Sequence, residues 1–150
     1  MRKKRIYLNP EKTKYCIVHL FKYRKEMQDF YFKEDRAKRE DKHYNTLGVH
    51  LAYTVYTPVK GKKNKWKPGP ITGSVLLNLQ NCGAGIVTHE LMHAVLWAYR
   101  HEEKEHDNQY PIIIHDMEEE EEILHRHTLA VMAFYRWYWK IKDKVRSVQK

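Results

Sequence analysis

The residues His89-Glu90-Leu91-Met92-His93 form an HExxH pattern. Residues four apart in a helix lie one turn apart on the same face, so the two imidazoles can bind one ion. Glu90 directly follows the first histidine and is placed to act on a metal-bound water. Zinc lowers the pKa of such a water to about 7, and Glu90 would pass its proton to a leaving amine. The pattern predicts zinc-dependent peptide hydrolysis, with His89 and His93 as ligands and Glu90 as general base.

The surroundings of the motif favour a buried helix. A predicted strand at residues 73–79 and a glycine-containing turn at 81–85 come before it, and the helix is predicted over residues 86–101. An unpaired His-Glu-His cluster would be costly to bury there, and metal binding would account for it. The alternative interpretation is a structural helix with two satisfied histidines and a solvent-facing Glu90.

Three features carry a family resemblance: the strand at 73–79, a Glu-bearing helix downstream, and the run Val87-Thr88-His89-Glu90-Leu91-Met92-His93-Ala94. Together they resemble the zincin metallopeptidases, specifically the small gluzincin-like domains that include phage-encoded and ImmA/IrrE-type proteins. The resemblance covers residues 47–135 and is specific at the HExxH motif. It implies a zincin-like fold, a zinc cofactor and a peptide or protein substrate. It also implies that the strand at residues 75–79 is the edge along which an extended peptide pairs.

The class of zincin depends on the third metal ligand. A metzincin needs a glycine and a histidine where this chain has Leu96 and Tyr99, so that class is excluded. In gluzincins a glutamate on the next helix completes the site. Here five glutamates, at positions 118–122, open the next predicted helix.

The preferred third ligand is Glu121. The core face of the last helix is predicted to run through Leu124, Thr128, Val131 and Tyr135. Glu121 and Glu120 lie one turn before Leu124 and so continue this face. Glu122 and Glu120 are the next candidates. The other glutamates of the run are interpreted as a solvated first turn that the helix dipole favours.

A second family would take its third ligand from a loop. In SprT-like proteases a histidine after the HExxH helix completes the site, and His106 lies 13 residues beyond His93. Asp107-Asn108-Gln109-Tyr110 follow in place of that family's HGxxF-like surroundings, and no cysteine ribbon follows, so this assignment ranks second. His125 and His127 are candidates to orient a ligand or to stabilise an oxyanion.

The periodicities predict one α+β domain over residues 1–150, with a small mixed or antiparallel sheet and the element order β-α-β-β-α-α. Strands are predicted at residues 15–21, 47–59 and 73–79, and helices at 23–38, 86–101 and 117–146. Residues 60–70 are rich in Lys, Gly and Pro, which is typical of the exposed loop of a hairpin. The resemblance makes this domain zincin-like, with an HExxH helix and a long C-terminal helix.

Positive charge is concentrated in the first half of the chain. Residues 1–67 hold 19 Lys and Arg against 7 Asp and Glu, whereas residues 68–150 hold 9 against 12. The basic half could contact the phosphates of a nucleic acid, with Trp66 stacking on a base. A lysine-coated soluble surface is the preferred interpretation, because no known nucleic-acid-binding pattern accompanies the charge. The alternative function is therefore a non-enzymatic basic protein that binds nucleic acid or a regulator on a zincin scaffold.

Composition excludes several classes of protein. A content of 42% hydrophobic and 13% aromatic residues is too high for a disordered chain. No apolar run reaches the length of about 18–20 residues that a membrane span needs, and no signal-peptide core follows the basic start, so we expect a cytoplasmic protein without a membrane partner. Cys16 and Cys82 are far apart and form no CxxC pair, which argues against a disulfide framework or a thiolate zinc site.

Overall fold

The fold belongs to the α+β class, as the sequence predicts. The computed structural model describes residues 1–35, 47–102 and 117–148. The described elements are β1 (Arg2–Tyr7), β2 (Tyr15–Phe21), α1 (Arg24–Asp35), β3 (Gly48–Ala52), β4 (Tyr56–Pro58), β5 (Trp66–Pro68), β6 (Ile71–Asn78), α2 (Ala84–Glu102) and α3 (Met117–Val148). Among the described helices, none is both long enough and apolar enough to cross a membrane.

The four-stranded sheet is mixed, with the strand order β1-β2-β6-β3. The central pair β2 and β6 is parallel, whereas β1 and β3 pair antiparallel on the two outer sides. Strands β4 and β5, which lie between β3 and β6 along the chain, form a separate antiparallel hairpin. The early part of the chain therefore holds two strands where one is predicted, and the predicted strand at 47–59 is divided into β3 and β4.

Each face of the sheet is covered by helices. Side chains alternate between the faces of a strand, so Val75 and Leu77 of β6 join the core beneath α2 and α3, and Leu76 joins the core beneath α1. Met27 and Tyr31, which the sequence places on the apolar stripe of α1, are both buried in this second core. Because apolar side chains are needed on both faces, β6 is an almost continuous apolar run.

The edge strand implied by the family resemblance is wrong. Strand β6 is bordered by β2 on one side and β3 on the other, and residues Thr72 to Asn78 are all buried. Its uninterrupted apolar sequence is typical of a central strand covered on both faces. In the described sheet the outer strands are β1 and β3, and β3 is the one that contacts α2.

The predicted core face of α3 is only partly confirmed, because Val131 and Tyr135 are partly buried against the core but Leu124 and Thr128 are not. Leu124 is 47% exposed and Thr128 is exposed, whereas the side chains that pack inward are Ile123, His127, Ala130, Phe134 and Tyr138. The true face is therefore rotated by one residue, or about 100°. Exposed apolar side chains at Leu129 and Met132 and a buried Arg126 make the sequence pattern ambiguous.

We expect Phe134→Ala to lower the free energy of unfolding by about 3–5 kcal/mol, because Phe134 is fully buried among the rings of α3 and its removal leaves a cavity. Urea denaturation followed by circular dichroism measures the change. Trp139→Ala is the control, since Trp139 is half exposed on the same helix. Equal destabilisation by both variants would contradict the assigned core face.

Candidate metal centre

The two histidines of the HExxH motif converge on one point. His89 and His93 both lie on the exposed side of α2, their rings are nearly perpendicular, and their Nε2 atoms are 3.1 Å apart. One helical turn separates the two residues, so the helix itself sets this spacing. The pair also satisfies the distance of an N–H···N hydrogen bond, which requires one ring to be neutral and to accept.

This spacing fits a shared zinc ion. Two nitrogen ligands at about 2.0–2.1 Å from a tetrahedral zinc lie about 3.3–3.4 Å from each other. The observed 3.1 Å is within a few tenths of an ångström of that value. Burial and the neighbouring charge of His89 lower the pKa of His93, which favours the neutral form that binds a metal.

Glu90 packs toward β3, and only 9% of it is exposed. Its Cγ would lie 3.1 Å from a Cβ atom added at Gly48, so α2 comes very close to β3 at this point. Burial raises the pKa of the Glu90 carboxyl, while His89 and the backbone N–H of His50, which donates to this carboxylate, oppose the shift. A carboxylate with a raised pKa, close enough to His89 for their charges to interact, is suited to exchange a proton.

His50 is a third imidazole near the motif and is missed by the sequence analysis. It lies on the face of β3 that α2 covers, and its ring stacks parallel to that of His93 with centroids 6.3 Å apart. Its Nε2 atom is buried and has no hydrogen-bond partner among the described residues. Burial, with a smaller contribution from His93, lowers the pKa of His50 to about 4, so the ring is neutral at physiological pH.

The room for this ring depends on Gly73 of β6. A Cβ atom at Gly73 would lie 3.1 Å from the His50 Nε2 atom and only 2.5 Å from the Leu51 carbonyl oxygen. Gly73 also has φ of +149°, which side-chain-bearing residues rarely adopt. A glycine inside a strand is a sequence signal of such a close approach, although the sequence does not say which residue approaches.

His127 connects α3 to the start of the motif. Its Nε2 lies 2.9 Å from the carbonyl oxygen of Thr88, so the ring donates from Nε2 to the residue directly before His89. The side chain is 9% exposed. The sequence analysis proposes His127 as a residue that orients a metal ligand. In the structure its ring contacts the backbone of α2. His125, nominated with it, is exposed.

The acidic run lies beside the C-terminal half of α2. Helices α2 and α3 are antiparallel, because Thr88 contacts His127 whereas Tyr99 donates a hydrogen bond of 3.2 Å to Glu119. Tyr99 lies six residues beyond His93, which is about 9 Å along a helix. The start of the run is therefore displaced along α2 from the two histidines.

The individual glutamates have different surroundings. Glu122 accepts a hydrogen bond from the Nε of Arg126 on the same helix, and Glu120 and Glu121 are exposed. Residues 1–35, 47–102 and 117–148 contain no group of three His, Cys, Asp or Glu side chains arranged to hold a metal. His106 lies outside the described residues. The third ligand, Glu121 included, stays a prediction.

Known proteins give no further guide to the site. No protein-family model, no curated protein and no solved structure matches the chain. The resemblance to the zincins therefore stays a prediction, and the function of the site is inferred from its own side chains.

We expect Gly73→Ala to lower the free energy of unfolding by at least about 1 kcal/mol, because the new methyl group meets the Leu51 carbonyl and the backbone must leave its positive φ. Chemical denaturation provides the measurement. Gly85→Ala is the matched control: it has open space around it in the first turn of α2 and should be neutral or stabilising. If the two variants were equally stable, Gly73 would not set the packing beneath His50.

Proposed function

We propose that this protein is a hydrolase of the zinc-dependent metallopeptidase class. The observation that supports the proposal most strongly is the distance of 3.1 Å between the Nε2 atoms of His89 and His93. Glu90, which lies between these two histidines in the motif, is buried. In finer terms, we propose a gluzincin-like enzyme in which His89, His93 and Glu121 hold the metal.

The roles of the side chains follow from their positions. His89 and His93 would hold zinc through Nε2, and zinc in such a site supplies a Lewis acid that lowers the pKa of water to about 7. Glu90 accepts the proton of the attacking water and delivers it to the departing amine. Its contact with β3 and the N–H of His50 fix the carboxylate, so that little reorganisation is needed before the proton moves.

A peptide substrate is supported by the position of β3. In the described sheet this strand pairs with β6 on one side only, and it lies against the helix that carries the motif. An unpaired strand edge can form main-chain hydrogen bonds with an extended peptide. We therefore propose β3, rather than β6, as the strand along which the substrate lies.

Glu90→Gln is expected to reduce hydrolysis of a quenched fluorogenic peptide library by at least about 100-fold while retaining zinc, because it removes the proton acceptor and leaves both imidazoles. His89→Ala should lose zinc and activity together. Metal content by mass spectrometry and initial rates provide the two readouts. His125→Ala, an exposed histidine on α3, should change neither. A folded wild-type protein that binds no stoichiometric zinc would contradict the proposal.

Zinc competition with a chromophoric chelator tests the third ligand. We expect Glu121→Gln to weaken zinc binding by about 10-fold or more, because one of three protein ligands is lost. Glu118→Gln is the matched control, since Glu118 is exposed in the same run. Weakened binding in His106→Ala, with Glu121→Gln unchanged, would favour the SprT-like assignment instead.

A further inference from the structure

The β4–β5 hairpin presents an exposed face that the proposed peptidase site does not use. Tyr56 lies opposite Pro68, and Pro58 lies opposite Trp66. Residues directly opposite each other, and residues two apart on one strand, share a face of a sheet, so all four side chains lie on the same side. Trp66 is 63% exposed and Tyr56 is 57% exposed. We call these four residues the aromatic face.

Five lysines lie in the same hairpin as the aromatic face, and Lys67 lies on the opposite face of β5 because it pairs with Thr57. They are all exposed and occupy the hairpin loop and β5: Lys60, Lys62, Lys63, Lys65 and Lys67. The sequence has no Asp or Glu between Lys42 and His89. In the part of the chain that the structure describes, none of the five ammonium groups has an ion-pair or hydrogen-bond partner. The hairpin therefore concentrates positive charge that its own neighbours do not neutralise.

The hairpin is ordered by its own backbone. The Val59 N–H donates to the Lys65 carbonyl at 2.8 Å, and the Lys62 N–H donates to the Val59 carbonyl at 3.1 Å. Positive φ angles at Gly61 and Asn64 close the turn between the strands. The aromatic face and the lysines are thus held together before any ligand arrives, which lowers the entropy cost of binding.

At its base the hairpin is joined to the sheet. The Gly69 N–H donates to the Val55 carbonyl, and the ammonium group of Lys14 donates to the Gly69 carbonyl at 3.0 Å. The Tyr15 N–H also donates to the Pro70 carbonyl, so β2 holds the end of the hairpin. These contacts fix the base of the hairpin to the sheet.

We propose that the hairpin binds single-stranded nucleic acid, with unpaired bases stacking on Trp66 and Tyr56 and the lysines contacting phosphates. Exposed aromatic rings beside a basic groove or loop are the general chemistry of such binding, because every base offers a flat π-face and every nucleotide a negative charge. A duplex hides its base faces, and an acidic peptide supplies charge without flat rings to stack. The proposal does not depend on the metal site.

Fluorescence anisotropy with a labelled oligothymidine strand of about 20 nucleotides tests the proposal. Binding should weaken with salt, with a slope of log K against log salt no steeper than about −3.5 if five lysines contact phosphates. Trp66→Ala should weaken binding by about 10-fold, and Trp66→Phe should recover most of it because a ring is retained. A matching oligouridine strand shows whether DNA or RNA is the tighter ligand, and tight binding of either supports the proposal.

Matched variants distinguish binding at the hairpin from binding through the overall positive charge of the protein. Lys62→Gln/Lys63→Gln should make the salt slope shallower by about 1.4, because two phosphate contacts are lost. Lys33→Gln/Lys140→Gln removes two exposed lysines elsewhere, and Trp139→Ala removes an exposed indole elsewhere; both should leave binding unchanged. Glu90→Gln should also bind normally.

Four results would overturn the proposal. They are no binding of either strand at low salt, equal affinity for duplex DNA of the same length, equal affinity for polyglutamate, and Trp66-dependent binding to phosphatidylserine vesicles in preference to the strands. Circular dichroism of each variant checks that the fold is intact, and Trp66→Phe keeps the test informative if Trp66→Ala does not fold.

Discussion

The close packing of α2 against β3 is the constraint on which the site depends. Gly48 has no side chain, and a Cβ atom there would lie 2.8 Å from Ile86 and 3.1 Å from Glu90. Helix and strand can therefore approach until the Glu90 side chain lies against the strand. Glu90 is held against the strand, while His89 and His93 remain exposed on the adjoining part of the same helical turn. A bulkier residue at position 48 would separate the Glu90 carboxylate from the strand that fixes it.

Helix α3 stabilises this arrangement from the other side of α2. His127 donates to the carbonyl of Thr88, and Tyr99 donates to Glu119, so α2 is held near both ends. Between these contacts Arg126, only 5% exposed, places its guanidinium 5.0 Å from the centre of the Tyr99 ring and binds Glu122. Burial of a charge is tolerated when it is paired in this way. These polar contacts fix the register of α3 along α2 and hence the position of the acidic run.

The sequence alone predicts those parts of the structure that depend on residues close together in the chain. His89, Glu90 and His93 lie within one turn of a single helix, so their spacing alone predicts that the two imidazoles share a face, and the extents of α2 and α3 follow from helix-forming residues without internal proline. The sequence alone does not predict contacts between residues that are far apart in the chain. His50 reaches the motif only through the pairing of β3 with β6, and no periodicity reveals that register. The edge position that the zincin resemblance implies for β6 is wrong, and its continuous apolar run is itself typical of burial on both faces.

The chain thus presents two surfaces of different chemistry, a histidine and carboxylate cluster on α2 and a basic aromatic hairpin next to β3 in sequence. The zinc site proposed on α2 is open to a direct test. Anomalous diffraction at the zinc absorption edge, from crystals of the protein grown with zinc, tests it most directly. We expect one peak about 2.0–2.1 Å from the Nε2 atoms of both His89 and His93. A zinc peak bound elsewhere, or no peak between these two nitrogens, would contradict it.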